Sequence, residues 1–212
     1  GIEKESLRTS PSGQLAQTAH PCALGSALTN PHITTDFSEA QVELVTGAHA
    51  SVQDCLQELT QVHQFVYQAL DHEQLWVSSM PGALPADEAI PIGQYGSSNV
   101  GHAKSVYRMG LGHRYGRRMQ TISGIHYNWS MPGLSNDDYF GLIRNFRRQS
   151  FLLLVLFGAS PAVTSCFVHG QDHGLQPLGD DTLYLPYATS LRMGRLGYQS
   201  DAQSSLSVSY NG

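Results

Sequence analysis

The chain has 212 residues, 12 basic and 17 acidic, so only 14% are charged, against about 25% in a typical soluble domain. The net charge of −5 argues against a general nucleic-acid binder, which should be basic, and the 41% hydrophobic content argues against a disordered chain. The length allows one domain, at most two small ones, and is read as one over residues 1–212, large enough to bury a core without staples.

Ile2–Leu7 reads as a strand with Glu3 and Glu5 on one face. Ile33–Thr46 reads as a second strand, with Ser38, Ala40, Val42 and Leu44 on one face and Glu39, Gln41 and Glu43 on the other. Ser51–Leu70 has Val52, Cys55, Leu59, Val62 and Val66 at helical spacing, behind a Ser51–Asp54 capping start. Leu75–Met80 predicts a short strand ended by Pro81-Gly82, and residues 81–98 a loop. Val100–Arg118 predicts a helix weakened by Gly110, Gly112 and Gly116. Thr121–Met131 is the clearest strand: Ile125, Tyr127, Trp129 and Met131 alternate with Gly124, His126, Asn128 and Ser130. Ser135 with Asp138 opens a helix running through about Phe157 and stopped by Gly158. Cys166–Val168 and Leu206–Ser209 read as strands, separated by a Gly/Asp-rich loop and the turn-like stretch Leu185–Tyr198. Strands and helices mixed without βαβ alternation predict an α+β fold with an antiparallel sheet.

Charge is unevenly spread along these elements. Residues 9–103 hold nine acids and no Lys or Arg, whereas residues 104–148 hold eight bases and two acids. Cys22, Cys55 and Cys166 are far apart and form no CxxC pair, which excludes a disulfide framework or zinc signature and suits a reducing compartment. The apolar run Phe151–Phe157 is far short of the roughly 20 residues of a membrane span, and residues 1–8 build no signal-peptide core. The start at Gly1 without Met and the end on a strand-like segment predict a piece of a longer protein.

Phosphate-loop, HExxH and GxSxG signatures are absent, and Gly110–Gly116 has one residue too many for GxGxxG and follows no strand. Asn128-Trp-Ser130 is a glycosylation sequon inside a strand and is read as chance. What remains is a set of acids on strands. Glu3 and Glu5 share a face, and Asp36 and Glu43 bracket the second strand. Acids buried in a sheet must be paired or bind a metal, and hard cations such as Mg²⁺ take carboxylate oxygens together with substrate phosphates. His126 could add a nitrogen. A solvated acidic face is the competing reading. Lys104, Arg108, Arg114, Arg117 and Arg118 form the basic counterpart, either a solvated helix face or an anion site, since Arg suits bidentate carboxylate recognition. Arg192 is a further Arg in a loop flanked by aromatics, where substrate contacts are often carried.

Six blocks then fall in order along the chain: Gly1-Ile-Glu-Lys-Glu-Ser-Leu-Arg8, Thr34-Thr-Asp-Phe-Ser-Glu-Ala40, Gln94-Tyr-Gly-Ser-Ser-Asn99, Gln120-Thr-Ile-Ser-Gly-Ile-His-Tyr-Asn128, Phe157-Gly-Ala-Ser-Pro161 and Leu185-Pro-Tyr-Ala-Thr-Ser-Leu-Arg192. Together they resemble the proteobacterial type of glutamate–cysteine ligase. The resemblance implies a glutamine-synthetase-like fold, a curved, largely antiparallel sheet with helices on its outer face, incomplete in this chain, whose 212 residues would form one portion of the catalytic domain. It implies ATP-dependent ligation of the glutamate side-chain carboxylate to the cysteine amine through a γ-glutamyl phosphate, the first step of glutathione synthesis, in the cytoplasm. Carried over by position, Glu3, Glu5, Asp36, Glu43 and His126 are metal ligands for Mg²⁺ or Mn²⁺. Tyr107, Arg108, Arg192 and Tyr198 are substrate contacts, with Arg108 and Arg192 catalytic, Arg192 at the glutamate carboxylate and Tyr198 on the cysteine side. ATP is the co-substrate, and neither nucleic acid nor membrane is a partner. The family's enzymes are longer, and their later portion supplies another metal-binding acid, which implies a missing C-terminal half or a complementary chain. The alternatives are a glutamate ligase with another amine acceptor and a catalytically silent fragment or interaction module.

Overall fold

The computed structural model describes residues 1–158, 161–188, 190–191 and 196–197. They divide into two compact units, Gly1–Asn128 with Thr164–Gly170, and Trp129–Val163 with the residues from Gln171 onward.

The first unit is built on a five-stranded antiparallel sheet. Strand β1 (Ile2–Thr9) lies at its centre, and β2 (Ile33–Thr35), β3 (Gln41–Val45), β4 (Gln74–Leu75) and β5 (Ile125–Tyr127) complete it in the order β2-β3-β1-β4, with β5 also paired to β1. Glu5 lies opposite Glu43, Leu7 opposite Gln41 and Glu3 opposite both Val45 and His126. Because strand side chains alternate, this register divides the sheet. Lys4, Ser6, Ile33, Val42 and Leu44 share one face. Glu3, Glu5, Leu7, Gln41, Glu43 and His126 share the other.

Helix α1 (Val52–Ala69) covers the first face. Ser51 caps it by accepting the Asp54 N–H, and Val66 joins Ile33, Val42, Leu44, Leu24 and Leu75 in one apolar cluster. A second cluster of Leu7, Leu15, Ala16, Ala40 and Ile90 closes the opposite face behind Leu7. Along β1 that face therefore runs from Glu3 through Glu5 into apolar core. Helix α2 (Asn99–Tyr115) is capped by Ser98, whose hydroxyl accepts the Gly101 N–H. Arg8 is 1% exposed and donates to Glu73 Oε2 and Thr18 Oγ1, each at 2.6 Å, to Thr18 O at 2.9 Å and to Glu39 O at 3.1 Å.

In the second unit, α3 (Asn136–Gln149) opens with a full capping box between Ser135 and Asp138, and α4 (Phe151–Phe157) ends at Gly158. No residue of either helix is buried among the described residues, and Phe140, Ile143, Phe146, Leu153 and Leu156 are exposed. Strands β6 (Ala162–Thr164), β7 (Gln176–Pro177) and β8 (Thr182–Tyr184) form a sheet ordered β6-β8-β7. No helix among the described residues is long and apolar enough to cross a membrane.

Several elements differ from the sequence reading. The strand expected over Ile33–Thr46 is a hairpin, β2 and β3, turned at residues 36–40 by Ser38, whose hydroxyl and carbonyl accept the Ala40 and Gln41 N–H groups. Glu39 consequently does not share the face of Glu43. The strand over Thr121–Met131 shrinks to Ile125–Tyr127, and its apolar side chains Ile125 and Tyr127 are exposed. Cys166–Val168 lies in a 3₁₀ turn, Ser165–Val168. The helix expected from Ser135 to Phe157 breaks at Ser150, whose hydroxyl donates to Arg147 O. The strand expected at Leu206–Ser209 lies outside the described residues.

Candidate functional site

Strand register brings Glu3, Glu5, Glu43 and His126 onto one face. Antiparallel pairing sets Glu5 across from Glu43 and Glu3 across from His126, and cross-strand partners place their side chains within contact distance. One ligand atom from each of Glu3, Glu43 and His126 falls within 4.8 Å of the other two. His126 Nδ1 lies 2.9 Å from Glu3 Oε2, and its Nε2 lies 3.7 Å from Glu5 Oε1. Asp36 stands at the head of the β2–β3 turn, and its charge pushes up the carboxyl groups of both Glu5 and Glu43. The geometry thus groups Glu3, Glu43 and His126 from three strands, with Glu5 beside His126; Asp36 bears on them through its charge.

The acids of this face are crowded electrostatically. Glu5 is 7% exposed. Burial first, and then the Asp36 and Glu43 charges, raise its carboxyl to about 7, although the Gly124 N–H and His126 oppose them. Burial and the neighbouring Asp36 and Glu3 likewise raise Glu43. Glu3 is held low by the His126 hydrogen bond, and His126 is raised by the same bond. One half-exposed imidazole thus faces three carboxylates, Glu3, Glu5 and Glu43, two of which resist ionising. A divalent cation would relieve that repulsion, and carboxylate oxygens beside one imidazole nitrogen suit a hard or borderline ion such as Mg²⁺ or Mn²⁺.

Two supporting side chains escaped the sequence reading as site residues. Asn128 donates to Glu3 Oε1 at 2.8 Å, and its place two residues beyond His126 on the same strand face was the available signal. Gln41 Nε2 lies 3.4 Å from Glu5 Oε2 and 3.3 Å from Ser123 Oγ. Glu5 Oε2 also accepts the Gly124 N–H at 2.7 Å. Glu39, by contrast, is a structural acid: its oxygens accept the His20 N–H at 2.9 Å and the Gln94 N–H at 2.7 Å.

The basic segment separates into two roles. Lys104 and Arg108 share a face of α2 over the Tyr95 ring, at 5.0 and 4.5 Å from its centre. Arg108 reaches the acidic site: Nε donates to Asp36 O, Nη2 to Thr35 O and Nη1 to Lys104 O. These bonds occupy three of its five N–H donors. Arg117 and Arg118 instead bind the Asp87 carboxylate through their backbone N–H groups, and the Arg117 side chain donates to Glu88 O and Ile90 O. Tyr107 is 65% exposed and makes no hydrogen bond to the acidic cluster among the described residues. Arg192 and Tyr198 lie outside the described residues.

A model of the family described as glutamate-cysteine ligase matches residues 1–212. The chain belongs to the glutamate–cysteine ligase family. A glutamate–cysteine ligase of Saccharophagus degradans is 54% identical over all of this chain and 43% of the relative, and one of Pseudomonas entomophila is 55% identical over the same shares. A crystal structure of the Francisella tularensis glutamate–cysteine ligase in complex with AMP superimposes with a TM-score of 0.91 at 41% identity, covering 99% of this chain and 44% of that one. A bifunctional glutathione synthetase from Pasteurella multocida gives 0.75 at 29% identity, over 99% of this chain and 28% of its own. The chain therefore spans less than half the length of these relatives. The Francisella likeness bears out the expected ligase fold with its antiparallel sheet.

Proposed function

We propose that this chain is the cation- and nucleotide-holding portion of an ATP-dependent ligase that joins the glutamate side-chain carboxylate to the cysteine amine, the first step of glutathione synthesis. The observation that carries the reading is the carboxylate face of β1 and β3 closed by His126, in a chain of this family. The AMP bound by the Francisella relative supports ATP as co-substrate. Glu3, Glu43 and His126, with Glu5 and Asp36 beside them, would hold Mg²⁺ or Mn²⁺. Such ions supply charge neutralisation at phosphoryl oxygens, the main requirement of phosphoryl transfer.

The protein's own groups do the rest. The apolar cluster behind Leu7 keeps water from the buried end of the face, which strengthens every charge interaction there. Arg108, fixed by its bonds to the β2 end, retains N–H donors for a phosphoryl or carboxylate oxygen. Tyr107 is proposed as a neighbouring substrate contact, Arg192 at the glutamate carboxylate and Tyr198 on the cysteine side. The remaining length of the relatives, as a continuation or as a complementary chain, is proposed to complete the site. The free cysteines among the described residues suit the reducing cytoplasm.

The test is ADP release by this chain together with that remaining portion. Release is expected only when Mg²⁺, glutamate and cysteine are all present. Equal turnover with another amine would overturn the acceptor assignment, and no amine-dependent ADP release would overturn the ligase reading.

A further inference from the structure

Tyr95 belongs to none of the ligand or substrate positions, yet it holds two of them. It is 5% exposed. Its hydroxyl accepts from Thr35 Oγ1 at 2.8 Å and lies 2.8 Å from Thr35 O and 3.1 Å from Asp36 O. Arg108 reaches the same two carbonyls through Nη2 and Nε, and its guanidinium stacks on the Tyr95 ring with Cζ 4.5 Å from the centre. One side chain therefore fixes the Thr35–Asp36 peptide at its hydroxyl and supports Arg108 on its ring.

Tyr95 is itself clamped. A Cβ on Gly101, in the first turn of α2, would meet Tyr95 O at 2.4 Å, and one on Gly93 would meet the Tyr95 hydroxyl at 2.9 Å and Thr35 Oγ1 at 3.1 Å. Both neighbours are glycine, so loop, helix and hairpin close onto the tyrosine without a gap. Such close packing leaves few alternative positions for the groups bound to it.

We infer that Tyr95 is a positioning residue, which sets the Asp36 carboxylate against the Glu3–Glu43–His126 cluster and orients Arg108 toward the same face. The inference rests on the reading of that cluster as a cation site. Asp36 is the one acid of the four carried by a turn rather than by a strand ladder, so its placement depends on what holds its backbone.

Manganese binding to this chain together with the remaining portion of the enzyme, by calorimetry and by the electron-spin signal of free Mn²⁺, tests the role. Tyr95→Phe keeps the ring and loses the hydroxyl, and its Mn²⁺ affinity is expected to fall about two- to tenfold, the value of one buried hydrogen bond. Thr35→Val removes the other hydroxyl of the pair and leaves both carbonyls held, so it should bind Mn²⁺ as the parent does. The Arg108 Nε–H resonance should exchange with water faster in Tyr95→Phe and not in Thr35→Val. Unchanged Mn²⁺ affinity and unchanged Nε–H exchange in Tyr95→Phe would overturn the positioning role. Equal losses in both variants would also overturn it, as general loosening of the fold. If Glu43→Gln binds Mn²⁺ as the parent does, the cation reading fails instead, and the proposal with it.

Discussion

Glu5→Gln should make the metal-free protein more stable at alkaline pH while weakening its hold on a divalent cation. The unfolded chain protonates this carboxyl near 4.5, and the folded chain near 7. Between those values the folded state binds more protons, so stability falls as pH rises. The gap corresponds to about 3 kcal/mol once both states are ionised. The amide of Gln is neutral throughout, and its oxygen can still accept the Gly124 N–H that Glu5 accepts at 2.7 Å. Glu5 is not a member of the Leu7 cluster, so the substitution leaves that cluster untouched. Glu5→Gln should therefore match the parent at pH 5 and exceed it at pH 8 by up to about 3 kcal/mol, or roughly 6–12 °C in Tm for a chain of this size. Glu43, raised in the same direction, should leave the variant a smaller residual fall with pH. Thermal unfolding followed by circular dichroism at pH 5 and 8, with chelator or with saturating Mn²⁺, reads both effects. Mn²⁺ should flatten the pH dependence of the parent and raise its Tm more than that of the variant. A parent whose Tm does not fall between pH 5 and 8, or a variant no more stable than the parent at pH 8, would refute the electrostatic argument.

Arg8→Leu should cost about 2–4 kcal/mol in urea unfolding, because the Thr18 and Glu39 carbonyls lose a donor and Glu73 keeps only the Thr18 hydroxyl; an unchanged urea midpoint would refute it. Gly101→Ala should displace the start of α2, since its Cβ would stand 2.4 Å from Tyr95 O; a loss of soluble protein or of more than about 2 kcal/mol is expected, and an unperturbed Tm would refute the close approach. Arg192→Lys should raise the glutamate KM of the completed enzyme with a smaller effect on the KM for ATP, because a point charge replaces a planar fork; an unchanged glutamate KM would remove Arg192 from the site.

The acids of the site were legible because strand geometry is simple. Glu3 and Glu5 two residues apart must share a face, and both do. The Ser51 and Ser135 caps were legible for the same reason, each being a local hydrogen bond written into adjacent residues. The hairpin at residues 36–40 was not. Its turn carries no Gly, Pro or Asn; the weaker turn formers Asp36 and Ser38 make it, with Ser38 buried. A single strand would have set Glu39 beside Glu43; the turn sends Glu39 to bind backbone at His20 and Gln94 instead. Arg108 was legible as a basic residue near Lys104 on one helix face, but its carbonyl partners come from 72 and 73 positions away, and nothing local announces them. Short apolar runs failed for a different reason: Cys166–Val168 has too few residues for its period to separate strand from turn.

The placement of charge along β1 connects stability to function. A strand that needed only to fold would continue the apolar alternation of Leu7 through positions 5 and 3, where the facing side chains on β3 and β5 could be apolar as well. Glu43 and His126 stand there instead, and burial works against ionising both Glu5 and Glu43. The Arg108 and His126 charges favour ionised Glu43 but do not outweigh burial and the neighbouring acids, and the Arg108 guanidinium is bonded to the Thr35 and Asp36 carbonyls. Lys4, next along β1, points to the opposite face and bonds Ser6 Oγ at 2.5 Å. The sheet thus keeps its cations off the acidic face on one side and beside it on the other. That arrangement costs stability on the acidic face and favours an entering positive charge, as the proposed role of holding a cation together with a polyphosphate requires.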